Sequence, residues 1–113
     1  MHEIKLIESI ISILNREVED PAIGEVKTIH LEIGRLRRVV PEIMESCFPH
    51  VPKNDKLKTA KIKITELPIR VRCSKCGYEE EIKDYSSYDC KKCSNKKTEI
   101  ISGNEFLIKG IEY

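Results

Sequence analysis

The sequence predicts an α+β fold in which two helices pack on a small sheet of about three strands, with a cysteine-rich module inserted between strands. An amphipathic helical pattern opens the chain, alternating strand patterns follow it, and two close pairs of cysteines interrupt the later strands. At 113 residues the chain is long enough for one modest core. We therefore expect an α/β domain formed by residues 1–70 and 97–113, and an inserted module formed by residues 71–96.

The first half of the chain carries two helical patterns and one strand pattern. Apolar residues at helical spacing predict a helix from about residue 3 to 19, which the Asp20-Pro21 pair ends. Ile29, Leu31 and Ile33 alternate with polar residues and predict a half-buried strand that stops at Gly34. A second helix is predicted to begin at Pro41, a residue well suited to a first helical position, and its apolar stripe is formed by Ile43, Met44, Cys47, Phe48 and Val51.

The second half carries strand patterns on both sides of the cysteines. Residues 57–67 alternate between apolar and polar side chains and predict a strand with one solvated face. Ile69 and Val71 lead into the cysteine segment. Further strand positions surround a turn at Gly103-Asn104, namely Ile100, Phe106, Ile108 and Ile111. Residues 72–96 contain too few apolar side chains to fold without a covalent or metal staple.

Composition excludes several broad classes of protein. Charged residues form 35% of the chain but nearly cancel to a net charge of +1, which argues against a dedicated phosphate-binding surface. We therefore interpret two basic runs as solvated surface, namely Arg35, Arg37 and Arg38, and Lys91, Lys92, Lys96 and Lys97. Lys5, Glu8 and Arg16 interrupt the apolar residues near the start, so this segment is predicted to be neither a signal peptide nor a membrane span. We expect a cytoplasmic protein.

The four clustered cysteines predict a metal site. Cys73 and Cys76 form one C-x2-C pair, Cys90 and Cys93 form another, and thirteen residues separate the pairs. Each pair can bring two thiolates to one ion, and four thiolates complete the closed tetrahedron of a structural zinc site, here a zinc-ribbon or knuckle module. Iron in a rubredoxin-like site and a redox dithiol are the alternatives. Gly77 follows the first pair, whereas Ser94 follows the second, so the second turn is predicted to be less tight.

The amino terminus offers a second type of metal chemistry. The α-amine of Met1, the intervening amide nitrogen and the imidazole of His2 can form fused chelate rings around a metal that favours square-planar nitrogen ligands, namely Ni(II) or Cu(II). Glu3 can add a backbone nitrogen or its carboxylate. A terminal histidine is more often a solvated residue, so this pattern alone does not establish a site.

Several short motifs together resemble one known family. They are Met1-His2-Glu3 before an amphipathic helix, Leu31-Glu32-Ile33-Gly34 in a strand, Pro41-Glu42 at the start of a helix, the two C-x2-C pairs, and Gly103-Asn104-Glu105 before the last strand. In this combination the chain is similar to the HypA family of hydrogenase and urease nickel-incorporation proteins, and the likeness extends over its whole length.

The resemblance implies a nickel metallochaperone that is not an enzyme. It implies that His2, with Glu3 and Met1, takes Ni(II) for transport, and that the four cysteines hold a separate structural Zn(II). The expected partners are a HypB-type GTPase and the large subunit of a [NiFe]-hydrogenase, with urease as the other possible recipient. Val40 stands where relatives often carry an acidic residue, which leaves the last nickel ligand unassigned; Glu42 is a candidate for it.

Other residues receive plainer interpretations. His30 and His50 are predicted to be surface residues, and Cys47 to be a small core residue. The competing functional hypotheses are a zinc-ribbon module that binds RNA or DNA, suggested by the lysines around the cysteines, and a rubredoxin-like electron carrier. We expect neither nucleic acid nor membrane among the partners, and a monomer or weak homodimer.

Overall fold

The computed structural model describes residues 3–83 and 87–113 of the chain. The two helices are α1 (Glu3–Glu17) and α2 (Pro41–Cys47). The six strands are β1 (Thr28–Gly34), β2 (Lys61–Leu67), β3 (Arg70–Cys73), β4 (Glu79–Glu81), β5 (Thr98–Ser102) and β6 (Phe106–Glu112). Short 3-10 turns occur at Arg35–Arg37, Phe48–His50 and Asp55–Leu57. The molecule is elongated, with principal dimensions of 54 × 26 × 17 Å.

The first sheet has the strand order β2-β1-β6. β1 is its central strand, parallel to β2 and antiparallel to β6. A parallel pair needs a crossover connection, and residues 35–60, which include α2, supply it. Helix α1 covers one face of this sheet, so the core lies between them and contains Ile7, Ile10, Leu14, Ile29, Leu31, Ile33, Met44 and Phe48.

The second sheet, with the order β4-β3-β5, surrounds the cysteine segment. Its buried apolar core is small and consists of Ile69, Val71 and Ile82, with Leu36 and Tyr88 packed against it. The α+β class and the two helices are confirmed, but the strands around the cysteines form a three-stranded sheet of their own. β5 pairs with β3 across the predicted module boundary between residues 96 and 97. The division into residues 1–70 plus 97–113 and residues 71–96 stays a prediction.

Two predicted element boundaries differ from the structure. The strand predicted from residue 57 begins at Lys61, because Asn54 caps a 3-10 turn by accepting the N–H of Lys56 and thereby buries Leu57 in the core. Helix α1 ends at Glu17 rather than at residue 19. The second helix is short, as Pro49 predicts: it changes to a 3-10 turn after Cys47, because Pro49 has no N–H to continue the helix. No helix in the two described ranges is long and apolar enough to cross a membrane.

Two glycines lie where the two sheets meet: Gly34 at the end of β1, and Gly103 between β5 and β6. The N–H of Leu36 donates to the Gly103 carbonyl at 2.8 Å, and the N–H of Gly34 donates to the Glu105 carbonyl at 2.8 Å. A Cβ atom on Gly34 would lie 2.0 Å from the Gly103 oxygen. Gly103 itself has a φ of 111°, a value that favours glycine. The junction therefore depends on close backbone contact.

Candidate metal centre

Two turns of similar geometry position the cysteines. In the first, the N–H of Gly77 donates to the Cys73 carbonyl at 3.0 Å; in the second, the N–H of Ser94 donates to the Cys90 carbonyl at 2.9 Å. Gly77 and Ser94 both adopt left-handed backbone conformations, with φ of 76° and 61°. The expectation of a less tight turn at Ser94 is therefore wrong. The serine adopts a conformation that costs an ordinary residue about 1 to 2 kcal/mol relative to glycine.

Exchanging glycine and serine at these two turns should change stability in opposite directions. We expect Ser94→Gly to raise the free energy of unfolding of the zinc-loaded protein by about 1 kcal/mol and Gly77→Ser to lower it by about as much. Chemical denaturation of each variant measures the change. Gly77→Ser is the matched control, since it places the same side chain at the equivalent position of the other turn. A decrease in stability for Ser94→Gly would contradict the strain at Ser94.

The four sulfur atoms form a compact cluster. All four Sγ atoms lie within 4.8 Å of one another. The Sγ atoms of Cys73 and Cys93 are 3.5 Å apart, and those of Cys76 and Cys90 are 3.6 Å apart. A tetrahedral ion with Zn–S bonds of about 2.3 Å requires S–S separations of about 3.8 Å, so the cluster fits zinc with only small adjustments. Four thiolates leave no coordination position open, which favours a structural role.

Hydrogen bonds from the turns stabilise thiolate ligands. The N–H groups of Lys75 and Cys76 point at the Cys73 Sγ, each with a nitrogen–sulfur distance of 3.4 Å, and the N–H of Cys93 makes the same contact with the Cys90 Sγ. The Cys76 N–H and then the Asn95 side chain lower the pKa of Cys73 to about 6. The partial positive charge of these donors offsets the negative charge that metal ligation places on sulfur.

Cys93 shows why a cation is needed at the cluster. The Asn95 N–H lowers the pKa of the Cys93 thiol, but its contact with Cys73, burial, and the neighbouring thiols of Cys76 and Cys90 together raise it to about 12. Four thiolates at these separations repel one another, so a divalent cation must compensate their charge. In the described ranges no other cluster of three or more histidine, cysteine or carboxylate side chains converges in this way.

Asn95 is a functional residue that the spacing of the cysteines does not reveal. Its side-chain amide donates to the Cys73 Sγ at 3.5 Å and to the Lys97 carbonyl at 3.1 Å, and it also contacts the Ser74 Oγ at 3.3 Å. It thereby ties the second turn to the first. An asparagine two residues after a cysteine is too common to signal this role, so only the tertiary structure identifies it.

The predicted nickel ligands are only partly within the described chain. Met1 and His2 lie outside the described residues. Glu3 is the first residue of α1 and is partly exposed. Val40, where the resemblance implies an acidic residue, caps α2 without a side-chain hydrogen bond, and Glu42 is exposed in the first turn of α2. The assignment of His2, Glu3 and Met1 to nickel stays a prediction.

The remaining candidate residues occupy structural or surface positions. The His30 Nε2 lies 2.7 Å from the Glu112 Oε1 across neighbouring strands. His50 is exposed and lines an open groove beside α1 with Ile4 and Glu8. Cys47 is half-buried and packs against the main core, apart from the cysteine cluster.

Comparison with known proteins gives consistent results. The family model described as "Hydrogenase/urease nickel incorporation, metallochaperone, hypA" matches residues 1–113. Hydrogenase maturation factor HypA of Desulfatibacillum aliphaticivorans is 35% identical over 113 residues, covering 99% of this chain and 86% of the relative. The factor of the same name from Moorella thermoacetica is 32% identical, covering 96% of this chain and 95% of its own.

Two solved structures share the fold. The solution structure of the nickel metallochaperone HypA from Helicobacter pylori matches with a TM-score of 0.69 and 20% identity, covering 99% of this chain and 97% of that one. A second solution structure, of HypA protein, matches with a TM-score of 0.73 and 20% identity, covering 99% and 95%. The predicted combination of helices, small sheet and cysteine module is thus found in proteins of similar fold.

Proposed function

The chain belongs to the HypA family of nickel metallochaperones for hydrogenase maturation, and from this premise we propose that it carries Ni(II) at its amino terminus. The four cysteines hold a structural zinc, and nickel is the transported cargo. Family membership does not favour the alternative of a zinc-ribbon module that binds nucleic acid. Our proposal concerns where the cargo binds and to which proteins it passes.

The closed geometry of the cysteine cluster is the observation that carries the proposal. All four Sγ atoms surround one tetrahedral position, so no ligand is left over for a second, exchangeable ion. The cargo must therefore bind away from the cluster.

The amino terminus supplies the chemistry that the cluster lacks. The Met1 amine, the amide nitrogen and imidazole of His2, and Glu3 form a nitrogen-rich donor set of the kind that Ni(II) prefers. Glu3 is partly exposed at the start of α1, so a ligand can reach it. Val40 has no donor atom to contribute. The exposed Glu42 is our candidate for the remaining ligand.

Family membership supports a proposal for the partners. We propose that the protein works in the cytoplasm with a HypB-type GTPase and passes nickel to the large subunit of a [NiFe]-hydrogenase, with urease as the other recipient. It acts by ligand exchange rather than as an enzyme, as a monomer or weak homodimer, and its partners include neither nucleic acid nor membrane.

A nickel titration tests the terminal site. We expect the native protein to bind one Ni(II), and both His2→Ala and a form extended by one residue before Met1 to bind it at least about tenfold more weakly, because each loses a donor of the chelate. Isothermal titration calorimetry of the zinc-loaded proteins gives the affinities, and elemental analysis should find one zinc throughout.

Matched controls separate the terminus from other possible donors. His50→Ala removes an exposed imidazole elsewhere and should leave nickel affinity unchanged, as should Cys47→Ser. Equal affinity in the native, His2→Ala and extended proteins would refute the terminal site. Retention on an oligonucleotide column with a steep salt dependence would instead support the nucleic-acid hypothesis.

A further inference from the structure

Asn95 contacts three of the four cysteines of the cluster. Its side-chain amide donates to the Cys73 Sγ at 3.5 Å, and its backbone N–H donates to the Cys93 Sγ. Its carbonyl accepts the N–H of Cys90 at 2.9 Å. Asn95 follows the second cysteine turn, whereas Cys73 begins the first. This one residue therefore reaches metal ligands of both turns.

The orientation of the Asn95 amide is fixed by the backbone of Lys97. The Lys97 N–H donates to the Asn95 Oδ1 at 3.2 Å, and the Asn95 Nδ2 donates to the Lys97 carbonyl at 3.1 Å. A flipped amide would place its oxygen against that carbonyl and against the Cys73 Sγ, and both of these atoms are acceptors. The amide nitrogen therefore faces the sulfur. Asn95 is only partly exposed, which limits the competition of water for these contacts.

The two sulfur atoms that Asn95 contacts lie close together. The Sγ atoms of Cys73 and Cys93 are 3.5 Å apart and belong to different turns. Both cysteines are thiolates when they bind zinc, so their negative charges repel each other over this short distance. The side-chain and backbone N–H groups of Asn95 place partial positive charge beside each of them. Asn95 therefore adds to the compensation that the cation provides, at the place where the two turns meet.

We propose that Asn95 is a positioning residue that determines how firmly the cysteine cluster retains zinc. It acts through Cys73, because its amide holds this thiolate in place and withdraws part of the negative charge on the sulfur. Removal of the hydrogen-bond partner of a metal ligand typically lowers metal affinity about 10- to 100-fold. In a chain of a nickel-incorporation family, firm retention keeps the resident zinc in place while the cargo nickel binds and leaves.

Competition between the zinc-loaded full chain and a zinc chelator tests this role. We expect Asn95→Ala to lower zinc affinity about 10- to 100-fold, since Cys73 loses a hydrogen-bond donor. Asn95→Asp keeps the acceptor for the Lys97 N–H but places a carboxylate oxygen beside the Cys73 thiolate, so it should lower zinc affinity at least as much. Zinc affinity equal to that of the native chain in either variant would overturn the proposal.

Ser74→Ala is the matched control, because the Ser74 side chain also links the two turns. Its hydroxyl donates to the Lys97 carbonyl at 2.7 Å and lies 3.3 Å from the Asn95 Nδ2. This variant removes a link between the turns but leaves the contact between the Asn95 amide and sulfur, so zinc affinity should change less than about threefold. An equal loss of affinity in Ser74→Ala and Asn95→Ala would show that Asn95 only joins the turns, and the proposal would fail.

Cobalt substitution separates the contact with sulfur from the general stability of the module. In the Co(II)-loaded chain, the energy of the sulfur-to-metal charge-transfer absorption depends on the negative charge that the thiolates carry. Loss of the amide hydrogen bond leaves the Cys73 sulfur richer in electrons, so this absorption should move to lower energy in Asn95→Ala and stay unchanged in Ser74→Ala. An unchanged absorption in Asn95→Ala would refute the role at sulfur, whatever the affinities. Nickel takes no part in these measurements, so their outcome is independent of the terminal nickel site.

Discussion

Removal of the metal from the cysteine cluster should unfold the second sheet and leave the first sheet folded. Among the described residues, the core of the second sheet has three buried apolar side chains, each contributing about 1.5 to 3 kcal/mol. Ordering the backbone costs about 1 to 2 kcal/mol per residue, so this core cannot hold β3, β4 and β5 in place. Structural zinc in comparable peptides contributes about 10 to 16 kcal/mol of apparent binding free energy.

Amide hydrogen exchange after treatment with a zinc chelator measures this effect. Protection of residues 70–73, 79–81 and 98–102 should be lost, whereas residues of β1 and α1 should keep theirs, because they belong to the separate main core. Cys73→Ser should reproduce the loss without a chelator. Cys47→Ser is the control, since Cys47 lies outside the cluster and should leave zinc content unchanged. Persistent protection of the second sheet without metal would contradict the expectation.

Substitution of Gly34 by alanine should be among the most destabilising changes outside the metal site. The new Cβ would lie 2.0 Å from the Gly103 carbonyl oxygen and 2.6 Å from the Asn104 nitrogen, both of them backbone atoms. A flexible side chain could move aside, but here the junction between the sheets must shift. We expect a loss of about 3 kcal/mol or more in the free energy of unfolding, measured by denaturant titration.

Gly110→Ala is the matched control for this change. Gly110 lies on β6, which pairs with β1 in the same sheet, and a Cβ there would meet no atom within 4 Å. Its substitution should change stability by less than about 1 kcal/mol. Similar stability of the two variants would show that the junction can relax and that the contact between Gly34 and Gly103 is not a rigid constraint.

The fold could be predicted wherever a short segment shows the hydrophobic periodicity of its own helix or strand. Helix α1 and strand β1 show the expected burial because their apolar residues recur at the period of the structure they form. The strand was predicted to begin at residue 57 because the apolar Leu57 and Ala60 precede its alternating pattern. In the structure Leu57 belongs to a 3-10 turn capped by Asn54, and this turn places its side chain in the core. Periodicity cannot distinguish these cases over so few residues.

The sequence of strand β4 has no pattern that predicts a strand. Three consecutive glutamates are poor strand formers, yet Glu79–Glu81 pairs with β3. The Arg72 guanidinium lies between two partner strands, 3.3 Å from Glu79 and 3.6 Å from Glu99, and pairs with both carboxylates. Cross-strand neighbours therefore decide the structure of this segment.

The four zinc ligands, the family and the two helices could be predicted from the sequence, because ligand spacing and helical periodicity are properties of short segments. Three other features became visible only in the folded chain: the strands around the cysteines form a separate sheet, Ser94 adopts the same turn as Gly77, and Asn95 supports Cys73. These features depend on contacts between residues distant along the chain, and such contacts exist only after the chain has folded.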